Sequence, residues 1–158
     1  MKILHIIIGL NTGGAELMLK RLIESHQDNS AYQHSIVSLT NKGKVGVLLQ
    51  EMGVDVQVLE MHSILHIPRV FWQLVRLIRS NPPYIVQTWL YHADLIGGLA
   101  AKVAGVKYVI WGIRATELRK GSYTTSIIRK VSAWLSHWIP DIIVVVAERA
   151  KQKHIDLS

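Results

Sequence analysis

The chain has 158 residues, 49% of them hydrophobic and 18% charged, and contains no cysteine. That suits about one domain with a core of its own and excludes disordered, fibrous and disulfide-stapled chains as well as thiolate metal sites. The 18 basic and 11 acidic residues give a net charge of +7. This charge fits an anionic partner or simple solubility, and without a basic run or an RNP-like aromatic pattern nucleic acid is not expected.

Strand-like apolar runs are expected at Ile3–Ile8, His34–Leu39, Val54–Leu59, Tyr84–Trp89, Lys107–Trp111 and Asp141–Ala147. Helical patterns fall near 15–26, 44–52, 68–80, 92–104 and 122–138. Strands alternating with helices predict an α/β fold, a doubly wound parallel sheet of Rossmann-like type. In the first helix Ala15, Met18, Leu19 and Leu22 form the expected buried stripe, and Glu16 and Lys20 are spaced for an i,i+4 ion pair. Gly53 and Gly105 stand where helices should be capped, and Pro82-Pro83 ends the third helix. The longest apolar run, Ile142–Ala147, is strand-sized, far short of the roughly 20 residues that span a bilayer. No signal-peptide pattern opens the chain, so a cytoplasmic location is expected.

The most informative segment is Gly13-Gly14-Ala15-Glu16, directly after the first strand-like run. Adjacent glycines allow a tight turn and expose amide N–H groups at a helix N-terminus, where a phosphate can bind. A plain turn would explain them too. Gly9 and Gly14 have the spacing of the first half of a Walker A loop, but Ala15-Glu16 replaces its Lys and Ser/Thr. The G-x-G-x-x-G pattern is absent, and no acid ends the second strand to hold a ribose. In parallel sheets ligands bind beyond the carboxyl ends of the strands, which places a site at Leu10–Gly14, Trp89–Asp94 and Gly112–Glu117.

Strand–GGAE–helix, followed by Gln87-Thr88-Trp89-Leu90-Tyr91-His92-Ala93-Asp94 and Trp111-Gly112-Ile113-Arg114, resembles the group 1 (family 4) retaining glycosyltransferases. The similarity is to their N-terminal, acceptor-side domain of GT-B fold and covers the whole chain. It implies a hexosyltransferase-type half-enzyme of polysaccharide biosynthesis, taking a nucleotide-sugar donor and a lipid-linked or saccharide acceptor. No cofactor beyond the donor and no metal is expected. The second domain, with the family's E-x7-E pair, is expected outside this chain, in cis or in trans. Glu148 is the last glutamate and has no glutamate eight residues to either side. The chain alone is therefore expected to be inactive.

The resemblance assigns Gly13 and Gly14 to the donor phosphates and His92 to the reacting sugar, as the catalytic candidate. Asn11, Thr12, Trp89, Tyr91, Asp94, Arg114 and Glu117 are the acceptor-side candidates. Arg114 stands where many relatives carry a histidine, and a guanidinium is a poor general base. Helix capping would equally explain His92, Asp94 and Glu117. His5 is expected to be a satisfied core histidine, and His62 and His66 to be loop residues, not a metal pair. In the third helix Arg69, Trp72, Gln73, Arg76 and Arg79 share a face, and Arg119-Lys120 with Arg129-Lys130 lie near Trp134 and Trp138. Either face could rest on anionic lipid at the inner face of the plasma membrane, or be ordinary solvated surface. A non-catalytic binding or interaction module, and half of another GT-B protein such as a sugar-nucleotide epimerase, are the competing functional readings.

Overall fold

A computed structural model describes residues 1–113 and 139–145. Six strands, β1 (Lys2–Ile7), β2 (Gln33–Ser38), β3 (Asp55–Val58), β4 (Ile85–Trp89), β5 (Tyr108–Ile113) and β6 (Ile142–Val145), form one parallel sheet in the order β3-β2-β1-β4-β5-β6. The helices are α1 (Gly14–Ser25), α2 (Gly43–Glu51), α3 (Ile67–Ser80) and α4 (Tyr91–Ala104), with a 3-10 turn at Ile64–His66 leading into α3. This is the doubly wound, Rossmann-like α/β architecture expected from the alternating pattern. Some boundaries differ: β5 runs on to Ile113, and β3 is shorter than the apolar run that announced it. The expected helix at 122–138 lies outside the described residues.

Residues alternate across the sheet with period two, so the sheet feeds a core on each face. On one face Ile7, Ile36 and Val56 pack with Ala15, Leu19 and Ile23 of α1 and with Val45 and Leu49 of α2. On the other, Leu4, Ile6, Val37 and Val86 pack under Val70, Leu74 and Ile78 of α3 and Ala93, Ile96 and Ala100 of α4. Helix α4 lies close to the sheet because Gly97 and Gly98 face it: a Cβ at Gly98 would come within 2.6 Å of the Trp111 indole nitrogen, and one at Gly97 within 2.9 Å of Ile6.

In α1 the stripe is Ala15, Leu19 and Ile23, with Met18 and Leu22 half-buried at its margin. The Glu16–Lys20 pair is not formed. Lys20 pairs with Glu24 instead, and the Glu16 carboxylate turns back against Gly13. The positive end of the helix dipole favours an acid there over a solvated ion pair one turn on.

Candidate functional site

Strand order reverses between β1 and β4, and this fixes where the chain can build a crevice. From β1 the chain leaves to α1 on one face; from its neighbour β4 it leaves to α4 on the other. The loop Ile8–Gly13 and the entry into α4 at Leu90–His92 therefore flank the carboxyl edge of two paired strands, with Ile7 opposite Trp89. This is the usual ligand position in open α/β sheets. Strand β5 brings Gly112 alongside Trp89.

The glycine loop is braced from the β2–α2 connection. The Thr40 hydroxyl and amide both donate to the Ile8 carbonyl, at 2.5 and 2.9 Å, and the Val45 amide donates to the Leu10 carbonyl at 3.0 Å. Gly43 is the contact that sequence reading missed. It has φ +55, and any Cβ there would overlap the Leu10 carbonyl and Asn11 backbone. Only glycine permits both the backbone angle and that approach. The sequence hint was slight: a glycine at the start of a helix, which capping alone would explain.

Asn11, Thr12 and Gly14 are exposed at the crevice and Gly13 is half-buried. Gly13 is the N-cap of α1, in extended conformation with no side-chain cap. The Glu16 carboxylate resting against it supplies the negative charge that this helix end favours. An incoming anion would have to displace it.

Across the crevice, Leu90 adopts φ +73 and ψ 150, a strained setting for a residue with a side chain. Its carbonyl accepts the Asp94 amide at 2.9 Å, so the chain passes from β4 into α4 without a loop. His92 and Tyr91 are half-buried in the first turn of α4. Desolvation lowers the His92 pKa below its ordinary value, so the imidazole is neutral at pH 7.

Two of the acceptor candidates, Asp94 and Trp89, are buried beneath the crevice surface. Asp94 is fully buried: its Oδ1 accepts the Thr88 hydroxyl at 2.5 Å, while Oδ2 has no partner among the described residues. Burial pushes its pKa up to about 8, against the opposing pull of the Thr88 bond, so it is a neutral acid in the core. Trp89 is 5% exposed and its indole N–H donates to His5 Nδ1 at 3.3 Å. It forms one wall of a recess of about 320 Å3 shared with Met18, Arg21, Leu22, Gln87, Gly112 and Val144. The remaining acceptor candidates, Arg114 and Glu117, lie outside the described residues.

His5 is the bonded core histidine that its mid-strand position suggested. His62 and His66 meet through a 3.3 Å bond from the His62 amide to His66 Nδ1 and an edge-on ring contact at 6.3 Å, and no metal-ligand cluster occurs among the described residues. Arg69, Trp72, Gln73, Arg76 and Arg79 are all exposed on α3. Two are also tied to the fold, through bonds from Arg69 to the Leu59 carbonyl (3.1 Å) and from Arg79 to the Val103 carbonyl (3.0 Å). The second basic face, at 119–138, lies outside the described residues. No described helix is long and apolar enough to cross a membrane.

No family model matches the sequence, and no curated protein does. Solved structures match the fold. Anabaena Alr3699/HepE in complex with UDP-glucose superposes with a TM-score of 0.78 over 99% of this chain, at 16% identity. MurG from Acinetobacter baumannii gives 0.66 over 92% at 14% identity. UDP-GlcNAc 2-epimerase from Methanocaldococcus jannaschii gives 0.70 over 99%, also at 14% identity. The chain spans 40–42% of the length of these proteins. At such identities the likeness shows a shared fold, and it supports the GT-B type of architecture.

Proposed function

We propose that this domain is the acceptor-side half of a retaining glycosyltransferase, moving a sugar from a nucleotide-sugar to a lipid-linked or polysaccharide acceptor. One observation carries the reading: an exposed glycine loop opens α1 at the β1/β4 reversal, in a fold shared with a protein solved with UDP-glucose. The amides of Gly13 and Gly14 would face the donor diphosphate as Glu16 swings clear, contributing backbone dipoles where charge develops on the leaving group. Neutral His92 would contact the reacting sugar as a hydrogen-bonding group, not as a fixed cation. Asn11, Thr12 and Tyr91 would contact the acceptor, with Arg114 and Glu117 as the sequence suggested. A second domain, in cis or in trans, would supply most nucleotide contacts and the cations that offset the diphosphate. The exposed basic face of α3 would rest on anionic lipid at the inner face of the plasma membrane.

Titrating UDP into the 15N-labelled chain tests the loop. Amide shifts centred on Gly13, Gly14 and His92, lost in Gly14→Val, support the reading. Absence of shifts at millimolar UDP and at millimolar concentrations of other nucleoside diphosphates would overturn it. The likeness to sugar-nucleotide 2-epimerases favours a second reading, half of such an enzyme. Product analysis on an enzyme containing this domain separates the two: label entering an acceptor fraction means transfer, and a 2-epimer in the nucleotide-sugar pool means epimerisation.

A further inference from the structure

The two most exposed large apolar side chains among the described residues are neighbours. Ile64 is 73% exposed and Leu65 83%, in the 3-10 turn that leads from β3 into α3. Single exposed apolar residues are common on soluble domains, but adjacent ones on a fixed tip mark a contact surface. This tip is fixed by its own backbone. The Ser63 hydroxyl accepts the Leu65 amide at 3.3 Å, the Ser63 carbonyl accepts the His66 amide at 3.0 Å, and His66 Nδ1 accepts the His62 amide at 3.3 Å. The turn then runs without a break into α3, with Pro68 in the first turn of the helix. Collapse of Ile64 and Leu65 onto the core would break these bonds.

The same stripe continues along α3. Leu65, Arg69, Trp72 and Arg76 follow at spacings of four, three and four, which places them on one side of a helix. Trp72 is 58% exposed. At 1.5 Å per residue it lies about 10 Å along the axis from Leu65, and Arg76 about 16 Å. Between Met61 and Ser80 the chain carries Arg69, Arg76 and Arg79 and no acidic residue. An aliphatic tip, then an indole among arginines, matches the succession of acyl chain, interface and phosphate at the surface of a bilayer.

We propose that the turn at Ile64–Leu65 is the point at which this domain enters a membrane: both side chains insert among the acyl chains of an anionic bilayer, with Trp72 at the interface and Arg69 and Arg76 on the lipid phosphates. The proposal rests on the reading of α3 as a lipid-facing surface and adds a depth and an orientation to it. The turn follows the carboxyl end of β3, and β3 lies two strands from β1, about 10 Å at the usual strand spacing. Insertion of the tip therefore turns the carboxyl edge of the sheet toward the bilayer, and the crevice opens at the lipid surface, where a lipid-linked acceptor would stand.

A second copy of the chain fits this surface poorly. A two-fold contact would set the patch against its own copy, arginine facing arginine, with no carboxylate between Met61 and Ser80 to pair them. An acidic protein would pair the arginines but would have to bury two aliphatic side chains against a charged surface.

The absence of cysteine allows a single label to be placed at will. Leu65→Cys carrying nitrobenzoxadiazole is compared with the same label at Gln27→Cys, an exposed position beyond the far end of α1. With vesicles of phosphatidylcholine and phosphatidylglycerol, the label at 65 should shift to the blue and be quenched by spin labels on the acyl chains, while the label at 27 stays as in water. Unlabelled Ile64→Ser with Leu65→Ser should bind these vesicles at least about tenfold more weakly, with an unchanged thermal melt because both side chains are exposed. Vesicle binding with an unshifted label at 65 would overturn the insertion and leave the basic face of α3 standing; no binding at all would overturn both. A shift at 65 that follows protein concentration without vesicles would assign the turn to a second copy and also overturn the proposal. None of these measurements involves a nucleotide, so their failure is distinct from failure of the glycine loop to bind UDP.

Discussion

Replacing Asp94 with asparagine should remove a loss of stability that the domain otherwise suffers between pH 6.5 and pH 8. The folded carboxyl titrates at about 8, against 3.8 for an ordinary aspartate, because burial penalises its charged form. Between those values the folded state holds one proton that the unfolded chain has released. Stability is therefore full below 3.8 and falls steadily as pH rises through 8. His5 and His34 act in the other direction. Their lowered values mean that stability present above 6.5 is lost as pH falls. Above 6.5 this contribution, and the like one from His92, fades as the unfolded imidazoles lose their remaining protons, which leaves most of the slope to Asp94. At 1.36 kcal/mol per unit, a span of about 1.5 units amounts to about 2 kcal/mol, or about 4–8 °C in Tm for a chain of this size. Asparagine keeps an oxygen to accept the Thr88 hydroxyl and cannot ionise. Urea unfolding of both proteins at pH 6.5 and 8.0 should show the drop in the parent and less than about half of it in Asp94→Asn. Parallel behaviour of the two proteins would refute the buried neutral acid.

Gly43→Ala should destabilise the fold by about 2–4 kcal/mol, read by urea unfolding, since the left-handed backbone angle and the contact with Leu10 cannot both persist. Gly13→Ala should cost far less, because the atom in its way is the end of the flexible Glu16 side chain. In a complete enzyme, Gly14→Val should abolish turnover with a native-like thermal melt; full activity would make the glycines purely structural. His92→Ala should lower kcat on the order of 10²-fold while nucleotide affinity holds, and weakened nucleotide binding at normal kcat would contradict its placement at the sugar. Co-sedimentation with anionic vesicles should fall in Arg76→Glu with Trp72→Ala, residues chosen to spare the bonds of Arg69 and Arg79 to the backbone, and 1 M salt should reduce it further. Equal binding to neutral vesicles would remove the electrostatic argument.

The strands were legible because their Ile- and Val-rich runs are bounded by glycine, proline and polar turns, and a parallel sheet buries both faces of such runs. The turn into α1 was legible because two adjacent glycines separate a strand-like run from a helical pattern. What local pattern could not show was direction and distance. Asp94 has the spacing of a first-turn helix acid, and only the packing of α4 on β4 turns it inward to Thr88. His26, from the cap of α1, and His34 and His5, from two strands, join in one hydrogen-bonded row, which depends on the register of β1 with β2. Gly43 meets Leu10 across two loops. Glu16 had two partners at allowed spacing, and the helix end won over Lys20.

The placement of β1 also has a consequence for the order in which the fold can be made. Strand β1 is a central one, flanked by β2, which follows within about 30 residues, and by β4, which arrives some 80 residues later. The segment from β1 to β3 carries almost all of one core; among the described residues the contributors from beyond β3 are Trp89 and the half-buried Leu90. This half can therefore collapse early on local contacts, but one edge of β1 stays unpaired until β4 closes a long loop. During that interval the growing chain exposes an apolar template for strand addition, the kind of surface from which aggregation begins. Docking of β4 ends that exposure, pairing the open edge while Trp89 completes the first core.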